Sequence, residues 1–597
     1  MYQLIQQLVR RWHSSLVPTP ERDGGSELAK VLHTHQISRV FTLCGGHISP
    51  ILVACTKLGI DVVDVRHEST AVFAADATAR LTGVPGVALV TAGPGVTNTI
   101  TALKNAQLAQ SPVIVVGGAA PSMLTGRGAL QDIEQIPLVR SVVKEAWSVS
   151  SVKDIPSTMT LAFQKALTGV PGPVFVEVAI DLLYPEQIVR EQYALRKKSK
   201  QSLGTKLVQW YINRKLNGMF RWEEDEKAYQ PRPLPKTAVK EGEIVKVVQL
   251  LQKAQKPLLI IGSQALVNAQ LAPEVAKALE QLGIPVYLSG MARGLMGRKN
   301  ILQFRHNRRQ ALQEADVVLL AGVPLDFRMG YGRGFRRHTK IISLNLSKKD
   351  LTMNKKPNIG LVVNPGEFLI RLGGQYSSSR DERMDWFALL EEREQKRNTQ
   401  IYEQSKESVG KINPIHLLTE LETHLPDDSI LIADGGDFVG TAAYVLNPRQ
   451  PLGWLDPGLF GTLGSGAGFA LGVKLCRPES QVWLLYGDGS VGYTLAEWDS
   501  FVRHKIAVAG LVGNDSSWAQ VAREQVNIYA SPVATELGDR RYDKVVEGFG
   551  AKGLFVTEEA NIRSVFEDAQ QTLSRGTPVL VNVMIDRTDF RKGSVSV

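Results

Sequence analysis

Along most of the chain, short continuous apolar runs alternate with longer segments whose apolar positions recur every three or four residues. Between residues 39 and 185 the runs are VFTLCGG, DVVDVRHE, GVALVTAG, SPVIVVGG and PVFVEVAI, each separated from the next by a helix-like stretch. β-Branched runs without polar alternation predict strands buried on both faces, and hence a parallel sheet covered by helices. The alternation returns in PLLIIG, PVYLSG, DVVLLAG and KIISLNL, and again from DSILIADGGDFVG through the runs at 482–486 and 508–512. The expected architecture is therefore α/β, with three doubly wound parallel-sheet domains over residues 26–185, 237–374 and 413–597.

Three segments interrupt this pattern. Residues 1–25 open with MYQLIQQLVRRWH, which puts Leu4, Ile5, Leu8, Val9 and Trp12 on one helical face. Such a face either packs on its own domain or lies on a membrane surface. Residues 186–236 form a basic, aromatic linker in which Leu203, Leu207, Val208, Tyr211, Ile212, Met219 and Phe220 recur at helical spacing, interleaved with Lys206, Arg214, Lys215 and Arg221. That stripe suits anionic lipid or the parent protein equally. Residues 375–412 read as a charged helical connector.

At 597 residues, 44% hydrophobic and 21% charged, the chain has an ordinary globular composition. Its three cysteines cannot build a disulfide framework. No apolar run reaches the roughly 18 residues of a membrane span. The net charge of +10 suits an anionic partner, either a phosphorylated ligand or an acidic membrane surface; no nucleic acid partner is expected.

The strongest chemical signal is GDGSVGYTLAEWDSFVRHKIAVAGLVGNDSSW, which reads as a strand, a glycine turn opening a helix, and a second strand. Free backbone N–H groups at such a turn attract phosphate. Asp488 and Asp515, at the carboxyl ends of neighbouring parallel strands, can hold one hard cation between them. In the first domain His47 follows the first strand and Gln131 lies in a loop after the fourth, both at strand carboxyl ends where α/β sites form.

This stretch resembles the fingerprint of thiamine diphosphate enzymes, and RHESTAVFAADATARLTG resembles their pyrimidine-binding signature. GGHISP, VTAGPG, SQAL, GMARGL, DGGDFVGTAA, WLDPG, FGTLG and FVRHKI are similar to the acetolactate synthase, benzaldehyde lyase and 2-hydroxyacyl-CoA lyase group of that family over residues 25–597. The resemblance implies thiamine diphosphate and Mg²⁺ as cofactors. The metal would be held by Asp488, by Asp515 where the family usually has asparagine, and by the Ser517 backbone carbonyl. Glu68 falls on the glutamate that acts at the pyrimidine ring. Gly487, Gly489, Ser490 and Asn514 are expected at the cofactor, as are Gly436 and Asp437 at a diphosphate turn that lacks the family's frequent Gln-His pair. Leu463 would wedge between the cofactor rings, its N–H and the Gly461 carbonyl bonding the pyrimidine. His47 and Gln131 match residues that handle protons of the substrate hydroxyl.

The implied reaction is cleavage of 2-hydroxyacyl-CoA to an aldehyde one carbon shorter and formyl-CoA, as in fatty acid α-oxidation at the endoplasmic reticulum. A carboligase acting on pyruvate and an inactive cofactor-binding scaffold are the alternatives. A homodimer or homotetramer is implied, with Glu68 and Asp488 of each site contributed by different subunits. In the central domain, LNLS at the end of KIISLNL lacks the acidic residue that binds a ribose, which speaks against the FAD or ADP found in many relatives. The arginines between Arg293 and Arg337 either dock a phosphate-rich substrate tail or decorate exposed loops. The tail RTDFRKGSVSV is a candidate lid.

Overall fold

The computed structural model describes residues 22–194, 203–235 and 239–591. The N-terminal amphipathic segment lies outside them, apart from its last four residues. The first domain contains β1 (Arg39–Leu43), β2 (Asp61–Asp64), β3 (Gly86–Val90), β4 (Val113–Ala119), β5 (Ala146–Val149) and β6 (Val174–Ala179). The central domain contains β7 (Pro257–Ile261), β8 (Val286–Leu288), β9 (Gln303–Phe304), β10 (Val317–Ala321), β11 (Lys340–Asn345) and β12 (Ile359–Val362). The third contains β13 (Ile430–Asp434), β14 (Trp454–Leu455), β15 (Val482–Gly487), β16 (Ala509–Asn514), β17 (Lys552–Val556) and β18 (Val579–Met584).

Each domain is one six-stranded sheet, and all pairings are parallel. The outer domains share one topology, β2-β1-β3-β4-β6-β5 and β14-β13-β15-β16-β18-β17, so the order reverses between β1 and β3 and between β13 and β15. The central sheet runs β12-β11-β10-β7-β8-β9 and reverses between β7 and β10. In open sheets of this kind ligands bind where the order reverses, outside the carboxyl ends of the strands.

β3, β7, β10, β13, β16 and β18 are buried along their whole length. The one-residue alternation of a half-solvated strand is therefore absent from the sequence. Several strands left no comparable run. β9 and β14 span two residues each, β5 and β12 are short edge strands, and β17 is only part-buried. KIISLNL is consequently not the last strand of its sheet, because β12 pairs outside it.

Residues 186–194 and 203–235 pack back onto the first domain. In the helix Leu203–Met219 the stripe divides: Leu216, Met219 and the following Phe220 are buried, while Leu203, Leu207, Val208, Trp210 and Tyr211 are exposed. The buried end packs against the same apolar cluster as Ile155, Phe163 and Leu182. The connector forms the helix Met384–Ser405. Among the described residues no helix is long and apolar enough to cross a membrane.

One apolar core runs through all three domains, including Phe73, Ile260 and Leu484. Its tightest join is between the helix Glu68–Thr82 and the helix Gly466–Cys476. A Cβ added at Gly468 would lie 2.5 Å from Phe73 Cβ, and one at Gly472 would lie 2.4 Å from the Ala74 carbonyl oxygen. The backbones meet because those positions have no side chain. Within the first helix Asp76 is fully buried; it pairs with Arg80 at 2.7 Å and accepts from Asn105 Nδ2 at 3.1 Å, which accounts for the polar letters in AADATAR. Gly472→Leu is expected to lower unfolding stability by about 1–3 kcal/mol through overpacking. Thermal or urea unfolding measures this, and an unchanged transition would mean that the two helices can part without cost.

Candidate active site

The expected residues fall into two clusters, each at a point where strand order reverses. The first surrounds the carboxyl ends of β1 and β3. Glu68 opens its helix, is 6% exposed, and accepts from Asn98 Nδ2 at 3.0 Å. A Cβ on Gly95 would come within 3.7 Å of Glu68 Oε1, so the Gly93-Pro94-Gly95 turn lies against the carboxylate. His47, 9% exposed, contacts Thr91 Oγ1 through Nδ1 at 3.0 Å, and burial lowers its pKa. Neutral imidazole is the state that can accept a proton. Gln131 packs over Gly93 and takes φ +61, a left-handed conformation unusual for a residue with a side chain. Strain of this kind concentrates where a site over-determines the backbone.

Gln135, which the sequence did not single out, ties this cluster together. It is buried, accepts from the Gly93 N–H at 2.9 Å, and donates to the Gly118 carbonyl at 3.1 Å and to Glu177 at 2.7 Å. A glutamine four residues from Gln131 carries no periodicity to mark it.

The second cluster surrounds the carboxyl ends of β13, β15 and β16. The helix expected to run on from GDG is broken: a single turn, Asp488–Val491, precedes a separate helix, Glu497–Arg503. Gly492 and Thr494, both weak helix formers, lie in the gap. The Ser490 hydroxyl closes the turn on both the N–H and the carbonyl of Gly487 at 3.1 Å. Gly489 is required by the neighbouring indole, since a Cβ there would lie 2.2 Å from the Trp518 ring.

Asp488 is 4% exposed and accepts from the N–H groups of Gly489 at 3.0 Å and Ser517 at 2.9 Å. Burial nevertheless pushes its carboxyl up to about 6. Burial, and then the charge of Asp488, pushes Asp515 up to about 7. Asp515 Oδ1 and Ser517 Oγ are buried without hydrogen-bond partners. Two desolvated carboxylates, one raised further by the other's charge, with an orphaned oxygen, are the donor set that a hard divalent cation relieves. Among the described residues no group of three His, Cys, Asp or Glu side chains could hold a metal by itself. A cation here would need further oxygens, of the kind a backbone carbonyl and a diphosphate supply.

Gly435 and Gly436, at φ +59 and +96, form the turn after β13, and a Cβ at Gly436 would lie 3.9 Å from Gly487 Cα. Leu463 leans over this turn, 2.1 Å from where a Gly435 Cβ would be. Gly461, two residues earlier, is exposed with φ +63. The loop is held by Asp434, fully buried, which accepts from Gly464 N at 2.9 Å and Gly466 N at 3.0 Å. An aspartate ending an otherwise apolar strand was the available signal for this residue.

Two expected cofactor contacts have their side chains engaged elsewhere. The Asn514 amide donates to the Arg540 carbonyl at 3.1 Å and to Asn582 Oδ1 at 3.2 Å, and accepts from Ser516 N at 3.2 Å, so it shapes the turn from beneath. The Asp437 carboxylate is ion-paired with Arg523, and Arg591 Nε lies 4.0 Å from it. Arg591 also crosses Gly440, 2.0 Å from where a Cβ would stand, so the described end of the chain lies over the helix Asp437–Val445.

Glu497, 2% exposed and equally absent from the sequence reading, joins the two domains. It accepts from Arg66 N at 3.1 Å, two residues before Glu68, and from Ser500 Oγ at 2.8 Å. Arg503 reaches Asp64 at 2.7 Å beside it. Among the described residues no hydrogen bond or ion pair connects Glu68 and Asn98 to Asp488 and Asp515 within one chain.

A glycine turn at a strand end, a buried carboxylate pair and a second cluster with a buried glutamate define a cofactor enzyme built on paired α/β domains. Family models agree. The chain matches the thiamine pyrophosphate enzyme N-terminal TPP binding domain at residues 22–138, the central domain at 244–372 and the C-terminal TPP binding domain at 434–583. It is 46% identical to 2-hydroxyacyl-CoA lyase 2 of Danio rerio, covering 99% of this chain and 96% of that one. It is 49% identical to 2-hydroxyacyl-CoA lyase 2 of Bos taurus, covering 96% and 92%. A probable acetolactate synthase of Mycobacterium bovis is 33% identical over 95% and 97%. The chain belongs to the thiamine pyrophosphate enzyme family, and thiamine diphosphate is its cofactor.

The buried acids also shape stability. Asp434 is pushed up to about 7 by burial, from an ordinary 3.8. The folded state therefore holds this proton more tightly than the unfolded chain, and stability from this group falls as pH rises from about 4 to about 7. Asp434→Asn is expected to flatten part of that fall in urea unfolding of cofactor-free protein. An unaltered pH slope would exclude Asp434 as a titrating group.

Proposed function

We propose that this enzyme is a Mg²⁺-dependent carbon-carbon lyase that cleaves a 2-hydroxyacyl-CoA into an aldehyde one carbon shorter and formyl-CoA. The observation that carries this reading is identity of 46% and 49% over nearly the whole chain to relatives named for that lyase, against 33% to an acetolactate synthase. Thiamine diphosphate, when bound, supplies the nucleophilic carbon and the electron sink.

The chain's own residues bind, orient and move protons. Glu68 holds a proton at the pyrimidine ring nitrogen, its carboxylate fixed by Asn98. Asp488, Asp515 and the Ser517 carbonyl would hold Mg²⁺, which would offset the charge of the two carboxylates and lower their repulsion of the diphosphate. Gly436 and Gly487 would leave room for the diphosphate, Gly489 admits the Trp518 ring beside that turn, and Leu463 with Gly461 would position the rings. His47, with Nδ1 occupied by Thr91, has Nε2 left to take the substrate 2-hydroxyl proton, and Gln131 supports that hydroxyl. As the proton leaves, the bond between the carbonyl carbon and carbon 2 breaks and the aldehyde forms. The electron pair stays on the carbonyl side, and its protonation yields formyl-CoA.

Product analysis tests the reaction: 2-hydroxyacyl-CoA should give the shortened aldehyde and formyl-CoA, while pyruvate should give no acetolactate. Glu68→Gln should bind cofactor normally and lose roughly 10²- to 10⁴-fold in turnover. Acetolactate from pyruvate would transfer the assignment to a carboligase. No product from either substrate would leave a cofactor-binding scaffold.

The lack of any hydrogen bond or ion pair between the two clusters among the described residues supports a symmetric homodimer or homotetramer in which each site takes Glu68 from one subunit and Asp488 from another. Asp488→Ala should lose Mg²⁺ and thiamine diphosphate together on dialysis. Mixed with Glu68→Gln chains, it should recover part of the activity that each lacks alone. Confirmed hybrids with no activity would mean that each site is built within one subunit.

A further inference from the structure

A cavity of about 700 Å³ opens where the central domain meets the helix Asp437–Val445. Seven arginines line it, and no aspartate or glutamate does. Their surroundings divide them. Arg305 and Arg293 donate to the Ala443 carbonyl, and Arg305 also to Tyr444 and Leu446, so both neutralise the carboxyl end of that helix. Arg328 pairs with Asp326, and Arg397 stacks on Phe590.

Of the seven only Arg328 has a carboxylate partner among the described residues, and three have almost no partner of any kind. Arg308 has only the Arg328 carbonyl, at 2.8 Å; Arg333 has only the face of Tyr331; Arg309 has no hydrogen bond or ion pair among the described residues. Burial and the neighbouring Arg293 lower the pKa of Arg308, and burial together with Arg305 lowers His306 to about 4. Arg308 is half-buried and repelled by Arg293, a cost that an entering anion relieves, while Arg309 and Arg333 are exposed among the lining residues. Two aromatic faces, Tyr331 at 46% and Tyr444 at 47% exposure, stand in the same wall, and Tyr331 takes φ +55 to do so.

We propose that this cavity is the binding site for the phosphorylated nucleotide handle of the acyl-CoA substrate, with Arg308, Arg309 and Arg333 on the phosphates and the tyrosines against the base. The assignment rests on the lyase reading above. Bidentate guanidinium contacts suit phosphate, and flat aromatic faces suit a purine. Position agrees with charge. Tyr444 lies near the far end of a nine-residue helix whose first turn is Gly436-Asp437. A helix of that length spans about 13 Å at 1.5 Å per residue. A ligand anchored here reaches the reacting centre only through a long spacer, which an acyl-CoA possesses and pyruvate does not. A resident nucleotide would share the chemistry but bring no reactive arm.

The test compares the full-length holoenzyme with its Arg308→Gln/Arg309→Gln variant, using calorimetry with free coenzyme A, pantetheine and ADP, and steady-state kinetics. Coenzyme A affinity should fall by about tenfold or more, from the loss of charge-assisted hydrogen bonds. Pantetheine binding should not change, KM for 2-hydroxyacyl-CoA should rise in parallel, and kcat should stay within about twofold. Arg309→Gln alone should melt no lower than the parent, since it removes a repelling charge. Unchanged coenzyme A affinity in the folded double variant would overturn the proposal. So would a co-purifying adenine nucleotide that the variant loses while its coenzyme A binding persists. If no lyase activity is found but the variant loses coenzyme A, the reaction falls and the cavity assignment stands. If cleavage proceeds with an unaltered KM, the reaction stands and the cavity assignment falls.

Discussion

The close approach of the helices Glu68–Thr82 and Gly466–Cys476 is the constraint on which the site geometry depends. Gly468 and Gly472 let one backbone settle onto the other, and Asp76 with Arg80 closes the polar gap alongside. Each helix begins at a residue of chemical interest. Glu68 is the first residue of one, and the loop carrying Leu463 leads into the other. Because α-helices resist bending, a contact made along their length fixes where both ends lie. Glu497, bonded to Arg66 N, repeats the tie from the other side. The domains are thereby joined in one chain through structural contacts, while among the described residues no hydrogen bond or ion pair links Glu68 to Asp488.

A second theme is charge buried without full compensation. Asp434 is content with two backbone N–H groups at the loop it holds, although burial still raises its pKa. Asp488 and Asp515 are less well served, and Asp515 keeps an oxygen with no partner. At the other end of the helix Asp437–Val445 the sign reverses, and arginines crowd a cavity that contains no acid. A pair of buried carboxylates and a cluster of arginines thus flank the same helix. The dipole of that helix has its positive end towards the diphosphate turn and its negative end against Arg293 and Arg305. Electrostatic demand at both ends suits a binding path that runs beside it.

The strand order adds a reason for the paired arrangement. The first and third domains share one topology, so equivalent strand ends place His47 and Thr91 in one and Gly436 and Asp488 in the other. Two similar halves each offer a crevice, and a cofactor with a ring at one end and a diphosphate at the other can use both.

Much of this was legible in the sequence because continuous apolar runs and glycine turns are local signals. Strands buried on both faces must be apolar throughout, and GDG and GGD mark where a strand gives way to a helix, so three parallel sheets and the placing of Asp488 and Asp515 at neighbouring strand ends followed from residue order. What the sequence left open depended on neighbours far along the chain. Nothing local says that Asn514 spends its amide on Arg540 and Asn582, or that Asp437 is taken by Arg523. Gln135 and Glu497 carry no periodicity, because their importance comes from backbone groups that lie beside them only in the folded chain. The arginines were visible as a dense run. That seven arginines face a cavity lined by no carboxylate was decided by tertiary structure alone, since pairing is a matter of distance in space and not of spacing along the chain.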